Sequence, residues 1–522
     1  MNLVDKIVSV FSPQAALNRV GARKRLDIIN SGYSNYGASH TKKSLLGWLY
    51  HGGSAHEDIE SNLSTLRQRS RDLYMGVPLA TSAIKTMRTN VVGTGLVLKS
   101  QIDYEYLGLT EEQAEQLENN IEREFALWAN TDACDIERFD NFAELQQLAF
   151  MNWLLSGDVI ALLPTTQRKG IPYDLRIKLI ESDRLCAPSG KELDPNFIGG
   201  VETNDAGETV AYHILNVHPL SFEINKSPEW VRVEAFGDNT GRRNVLHIMN
   251  RERIGQRRGV PFLAPVIESL KQLGRYTDAE LVAAVVSGMF AVFIQKSDNS
   301  GEGPAIGEVV PEDEQVSSVD SDIEIGNGSI IDLEEGETAN PVSPGRPNAN
   351  FDAFVIAITR QIGAALEIPY ELLVKNFTAS YSASRGALLE AWKTFSTYRN
   401  WLAKDFCQPI YEEWLAEAVA KGRIIAPGFF SDISFRKAYS GAEWNGPAQG
   451  LLNPVQEVQA AELRVTNGFS TRARESREMN GSDFYKNARQ RRREETIMKE
   501  VNRNENNNLA NESGGKSGSA AK

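Results

Sequence analysis

The chain has 522 residues, too many for one compact core, so two or more domains are expected. Apolar residues make up 41% and charged residues 24%, a globular balance that excludes a wholly disordered chain. The net charge of −13 argues against a protein that clamps nucleic acid by neutralising phosphates, though not against one that handles DNA without gripping it.

Met1 to Phe11 carries Val4, Ile7, Val8 and Phe11 at helical spacing, interrupted by Asp5 and Lys6 and followed by no cleavage site. Such a stretch suits docking on its own protein or a neighbouring subunit better than lying on a membrane surface. Residues 12–60 are a mixed segment with turn residues, and ordered structure is expected from about Asp58. Leu63, Leu66, Leu73, Ala80, Ile84 and Met87 then suggest helices broken at Gly76-Val77-Pro78. Val91 to Leu98 reads as a short β element with glycine turns.

Thr110 to Ala129 is a helix, with Thr110 and Gln113 as a capping box and Leu117, Ile121, Phe125 and Trp128 along one face. Asn141 to Ser156 repeats the case. Residues 159–250 read mostly as strands (Leu175–Ile180, Val210–Leu215, Trp230–Val233, Val245–Met249), forming an α+β domain with the helices before them.

A long helical pattern follows from Phe262 to Phe293, and a second helix spans Asp352 to Leu366. Between Ser297 and Gly345 there is no Lys or Arg, so two helices flank a small acidic module. The apolar run Leu281 to Ile294 is shorter than the ~20 residues a membrane span needs and suits a buried helix. It is more apolar than one face of a monomer requires, which leaves subunit contact or burial within the subunit. Ser384 to Lys421 is a helix or helix pair, kinked or broken at Pro409. Pro454 to Gly468 and Thr471 to Asn502 are helices, and residues 502–522 form a disordered polar tail.

Catalytic signals are weak. Gly515-Lys516-Ser517 lacks the earlier glycine of a P-loop, since Ala510 stands there, and no strand precedes it. Gly93-Thr94-Gly95 lacks the third glycine of a dinucleotide fingerprint, and neither GxSxG nor HExxH occurs. His51 and His56 read as exposed loop imidazoles. Cys134, Cys186 and Cys407 are far apart, without the spacing of a disulfide framework or a zinc site. Glu312, Asp313 and Glu314 suit a solvated acidic face better than a metal site. No catalytic residue, metal or cofactor is expected.

Four stretches together resemble the lambda-type family of phage portal proteins. They are Leu66-Arg67-Gln68-Arg69-Ser70-Arg71-Asp72-Leu73 with Pro78-Leu79-Ala80 and Asn90 to Gly95; Arg253 to Pro261 leading into Tyr276 to Leu281; Ile368-Pro369-Tyr370-Glu371-Leu372-Leu373 to Tyr381-Ser382-Ala383-Ser384-Arg385; and Gln408-Pro409-Ile410-Tyr411-Glu412-Glu413-Trp414-Leu415. Each alone is weak, and their order and spacing over most of the chain make the combination specific. The sequence departs from the family pattern at Ser380-Tyr381-Ser382-Ala383, where the family usually has Asn and two Ser, and at Asn453-Pro454-Val455-Gln456-Glu457.

The resemblance implies an α+β portal-like subunit with an α+β wing, long stem helices, a small α/β clip and a helical C-terminal crown. Its parts would be an N-terminal arm (1–57), the wing (58–261), a first stem helix (262–296), an acidic clip (297–345), a second stem helix (346–368), a channel loop region (369–383), a long wing helix with β return (384–446), crown helices (447–501) and the tail (502–522). It implies a non-enzymatic ring, a dodecamer in the family, at one capsid vertex of the virion. Double-stranded DNA would pass through it without sequence specificity. The partners implied are the terminase large subunit, head-completion or adaptor proteins, the major capsid protein and scaffold, with assembly in the host cytoplasm and no membrane. Leu281, Val285, Met289 and Phe293 would pack the stem ring. Glu312, Asp313 and Glu314 would dock a motor or connector. Lys375, Asn376, Thr378, Ser380 and Tyr381 would face the channel, an ordinary exposed loop being the other reading. The arginines at 489–493 either touch DNA or pair with Glu494, Glu495 and adjacent helices. The competing function classes are a terminase-like ATPase or nuclease and a head-assembly component without a channel.

Overall fold

The computed structural model describes residues 11–29, 42–45, 47–48, 52–191, 194, 196–221, 227–238, 240–289, 292–296, 337–341, 350–377, 380–449, 453–485 and 487–499. The chain divides into two compact units, Met1–Asp58 and Ile59–Lys522. The first carries helix α1 (Pro13–Ile29), within a stretch the sequence presents only as mixed. Its Ala, Leu, Arg and Lys residues favour a helix locally without forming an apolar stripe, so periodicity does not reveal it.

In the second unit, α2 (Leu63–Gly76) and α3 (Pro78–Val91) meet at an extended Val77, with Pro78 in the first turn of α3. Proline forces that pair of conformations on itself and the residue before it. The expected β element at Val91 splits. Val91 closes α3, on the buried face shared with Ile84 and Met87, and β1 (Val97–Ser100) begins only after the positive-φ glycines Gly93 and Gly95. Burial on a helix face outweighs the β propensity of Val91.

Helices α4 (Glu111–Ala129) and α5 (Phe142–Ser156) start in capping boxes built by Thr110 with Gln113 and by Asn141 with Glu144. The strands that follow make two sheets. β2 (Asp158–Leu162) lies between β3 (Lys178–Ile180) and β8 (Val245–Met249), and β4 (Phe197–Ile198), β5 (Val201–Thr203), β6 (Thr209–Leu215) and β7 (Trp230–Glu234) form an antiparallel meander.

Helix α6 (Ile267–Met289) is shorter than the 262–293 pattern at both ends. A 3₁₀ turn at Ala264–Val266, containing Pro265, precedes it. Phe293 lies in strand β9 (Val292–Lys296), opposite Asn340 of β10 (Glu337–Pro341), so it is no part of the helix. Branched and aromatic residues at 292–294 suit a strand once a partner exists. That partner, Glu-Thr-Ala-Asn-Pro, gives almost no strand signal of its own. The acidic module is thus entered and left through a two-stranded ladder, and Glu312, Asp313 and Glu314 lie outside the described residues.

Helix α7 (Phe351–Ala365) runs back beside α6, joined by Tyr276 against Phe351 (5.5 Å) and Phe354 (5.1 Å). After α8 (Tyr370–Val374), the helix α9 (Tyr381–Leu402) continues through a π turn at Ala403–Cys407 into α10 (Gln408–Ala420). Pro409 cannot donate to the turn before it, and the widened turn accommodates its ring without ending the helix. Helix α11 (Ile433–Tyr439) leads to β11 (Ala442–Asn445), which returns to pair antiparallel with β1. Helices α12 (Pro454–Thr466), α13 (Arg472–Asn480) and α14 (residues 487–499) follow. The helix expected over 471–502 is interrupted at Gly481, which is left-handed at φ 74°.

The main core joins α2–α5 to α9 and α10. Phe125 at its centre meets Trp414 edge-on at 5.0 Å, with Tyr411 and Phe142 close by. A smaller core of Ile160, Ile180, Leu185, Val201, Tyr212 and Ile214 lies between the two sheets.

Candidate functional site

Two of the sequence stretches meet at a buried carboxylate at the base of α6. Asp158, the first residue of β2, is fully buried. Its Oδ2 accepts from Arg258 Nε (2.6 Å), the Gly259 amide (3.1 Å) and His247 Nε2 (3.3 Å), and its Oδ1 from Arg67 Nη2 (3.1 Å) and Arg258 Nη2 (3.2 Å). Burial alone would raise the Asp158 pKa, but the two guanidinium groups hold it well below the usual carboxylate range. Burial pulls Arg67 down to about 10. The remaining guanidinium donors go to carbonyls, Arg67 to Ser156 (2.8 Å) and Arg258 to Leu185 and Gly199 (2.5 Å each) and Ser182 (2.6 Å).

This cluster sets where α6 departs. A Cβ on Gly259 would lie 1.9 Å from the Gly157 carbonyl oxygen, so two backbones touch there and both positions require glycine. Gln256 closes the preceding loop, accepting from the Glu252 and Arg253 amides (2.9 and 3.1 Å) and donating to the Arg258 carbonyl (2.8 Å). The Phe262 amide donates to Leu154 of α5 at 2.8 Å. Of these residues, Arg67, Gln256, Arg258 and Gly259 are marked in the sequence only through the resemblance, and Asp158 and His247 not at all. Their charged character points to the surface, and nothing in their spacing shows that Asp158 lies between them.

The segment between α8 and α9 holds the residues expected to face a channel. The Ser82 hydroxyl donates to the Leu373 carbonyl (2.7 Å) and Leu373 is buried, which ties α8 to α3. Lys375 caps α8 in the left-handed region (φ 55°), and the Asn376 amide donates to the Glu371 carbonyl at 3.0 Å. Both are exposed, as is Phe377, which sequence reasoning passed over. Ser380, also exposed, is the N-cap of α9, its hydroxyl accepting from the Ala383 amide at 3.4 Å. Tyr381 begins that helix, and its hydroxyl accepts from Arg385 at 3.2 Å. Arg385 also reaches Glu457 of α12 at 2.7 Å. Thr378 lies outside the described residues.

Along α6, Leu281 (66% exposed), Val282 (62%) and Val285 (52%) form an apolar strip, and Phe354 of α7 is half exposed. Met289 ends the helix, and Phe293 stands apart in β9. Among the described residues no His, Cys, Asp or Glu group could hold a metal ion, and no helix is long and apolar enough to cross a membrane. In α14, Arg491 pairs with Glu495 at 2.9 Å and Arg489 approaches Glu115 of α4 at 3.5 Å.

Residues 41–399 match the family described as phage portal protein, lambda family. The sequence is 23% identical over 467 residues to portal protein B of Escherichia phage lambda, covering 85% of this chain and 86% of that protein. It is 24% identical over 451 residues to the portal protein of Escherichia phage N15, covering 83% and 84%. A chain in the neck of a native gene transfer agent particle, computed with C12 symmetry, is loosely similar. It shares 14% identity at a TM-score of 0.40, over 79% of this chain and 92% of that one.

Proposed function

The chain belongs to the lambda family of phage portal proteins, and from that membership we propose that it is the head–tail connector subunit, forming the ring at one capsid vertex through which double-stranded DNA is packaged and ejected. The observation that carries this reading is the family match over residues 41–399, with relatives whose similarity spans more than four fifths of both chains. The role is structural and we assign it no reaction.

Within that reading α6 and α7 are the stem and the module between β9 and β10 is the clip. The exposed turn at Lys375–Phe377 faces the channel, and the helices after Asn453 form the crown. A closed ring needs one face of each subunit to meet a different face of the next. The strip of Leu281, Val282 and Val285 supplies an apolar half of such a contact. The acidic clip suits a basic face on the terminase motor or, later, on head-completion proteins, through electrostatic complementarity. Replacing Glu312, Asp313 and Glu314 by Lys is expected to weaken motor binding and leave the ring intact. An unchanged motor affinity would remove the clip from the docking surface. Assembly with scaffold and major capsid protein would take place in the host cytoplasm.

Immunogold labelling of assembled heads tests the reading as a whole. A portal gives label at one vertex of each head. Label scattered over the shell would favour a head component without a channel.

A further inference from the structure

We propose that three arginines on one face of α14, Arg489, Arg492 and Arg493, bind the phosphate backbone of duplex DNA without reading its sequence. The proposal rests on the portal reading, which puts duplex DNA on this protein's path. Every residue from 487 to 499 is exposed, so this stretch of the helix presents its side chains to solvent. At 3.6 residues per turn, positions 489, 492, 493 and 496 share one face, and they are Arg, Arg, Arg and Thr. The two carboxylates of the helix lie off that stripe and are engaged. Glu495 takes Arg491 at 2.9 Å, and Glu494 accepts from Gln490 at 2.9 Å.

Three arginines of the neighbouring helices are paired. Arg464, Arg474 and Arg477 are matched to Glu475, Glu478 and Glu443. Arg489 meets Glu115 only at 3.5 Å, with both side chains about half exposed. Arg492 and Arg493 have no ion pair among the described residues. A planar guanidinium fits phosphate oxygens in a two-pronged contact, which suits a sequence-independent backbone partner. The rise from Arg489 to Arg493 is about 6 Å, so the two long side chains can reach neighbouring phosphates of one strand. In a chain of net charge −13, attraction to DNA has to come from a local patch of this kind. Glu115 is then the intramolecular competitor that Arg489 leaves when phosphate arrives.

The test is fluorescence anisotropy of a short labelled duplex of mixed sequence, titrated with the full chain over a range of salt concentrations, with ring formation followed by electron microscopy. Arg492→Ala/Arg493→Ala is expected to bind roughly tenfold more weakly at low salt, with the slope of log affinity on log salt shallower by about 2. Arg492→Lys/Arg493→Lys keeps the slope, and Arg491→Ala, on the other side of the helix, behaves as wild type. Wild-type affinity and slope in the double alanine variant would overturn the proposal. So would loss of rings at unchanged DNA affinity, since the partner would then be a protein carboxylate. Rings that form normally while DNA binding ignores the stripe would leave the portal reading standing. A wild-type chain that forms no rings in the presence of scaffold and capsid protein would count against that reading instead.

Discussion

At the scale of single residues, the fate of Asp158 decides how the α6 base is held. Removing one partner from a buried ion pair leaves an uncompensated charge and costs about 3–5 kcal/mol. Asp158→Asn strands Arg67 and Arg258 in this way, and a loss of that size is expected in the unfolding of the isolated subunit. The pH dependence follows from the lowered carboxyl pKa. The native state binds fewer protons than the unfolded chain between the two pKa values, so stability rises with pH through that window. The contribution of Asp158 is complete above the ordinary aspartate range of about 3.9 and fades only as pH falls well below it. The gap between wild type and Asp158→Asn should therefore persist through mildly acidic pH. Equal stability of the two at neutral pH would remove the cluster from the account. None of this is legible in sequence, because charged residues read as surface until the carboxylate that compensates them is located, and Asp158 is 91 residues from Arg67 and 100 from Arg258.

At the scale of elements, the helical hairpin α6–α7 shows what periodicity reveals and where it stops. The sequence marks both helices, and the capping boxes mark the starts of α4 and α5, because cap and stripe are local chemistry. The end of α6 is not local. Val292 to Lys296 becomes a strand through pairing with residues 41 to 49 positions later, so an apolar run with no charge reads as more helix than there is. At Pro409 local chemistry indicates a disturbance but not its form, a π turn. The exposed strip on α6 carries a prediction at this scale. Leu281→Asp/Val285→Asp changes two solvent-facing positions, so the subunit should fold with little change in thermal unfolding. In the ring each side chain would forfeit roughly 1.5–3 kcal/mol of apolar burial at every subunit contact, and assembly should fail by sedimentation. Normal rings from this variant would move the contact to another face.

At the scale of the whole molecule, the proposed function asks for charge that lets DNA move rather than charge that grips it. A lumen lined by arginine would hold each phosphate it met, whereas an acidic lining repels the duplex from all sides and leaves it mobile. The net charge of −13 would suit such a lining, and the proposed α14 stripe would be a local exception to it. Composition carries the net charge but not where it lies. The sheet pairing, the buried cluster and the separation of α13 from α14 depend on distant contacts or on one left-handed glycine, and emerge only in three dimensions. The most direct measurement is negative-stain electron microscopy of the purified chain together with its mass by light scattering. Rings with an axial hole and a mass near twelve times that of the 57.9 kDa subunit are expected. Closed particles of defined mass with no hole would contradict it.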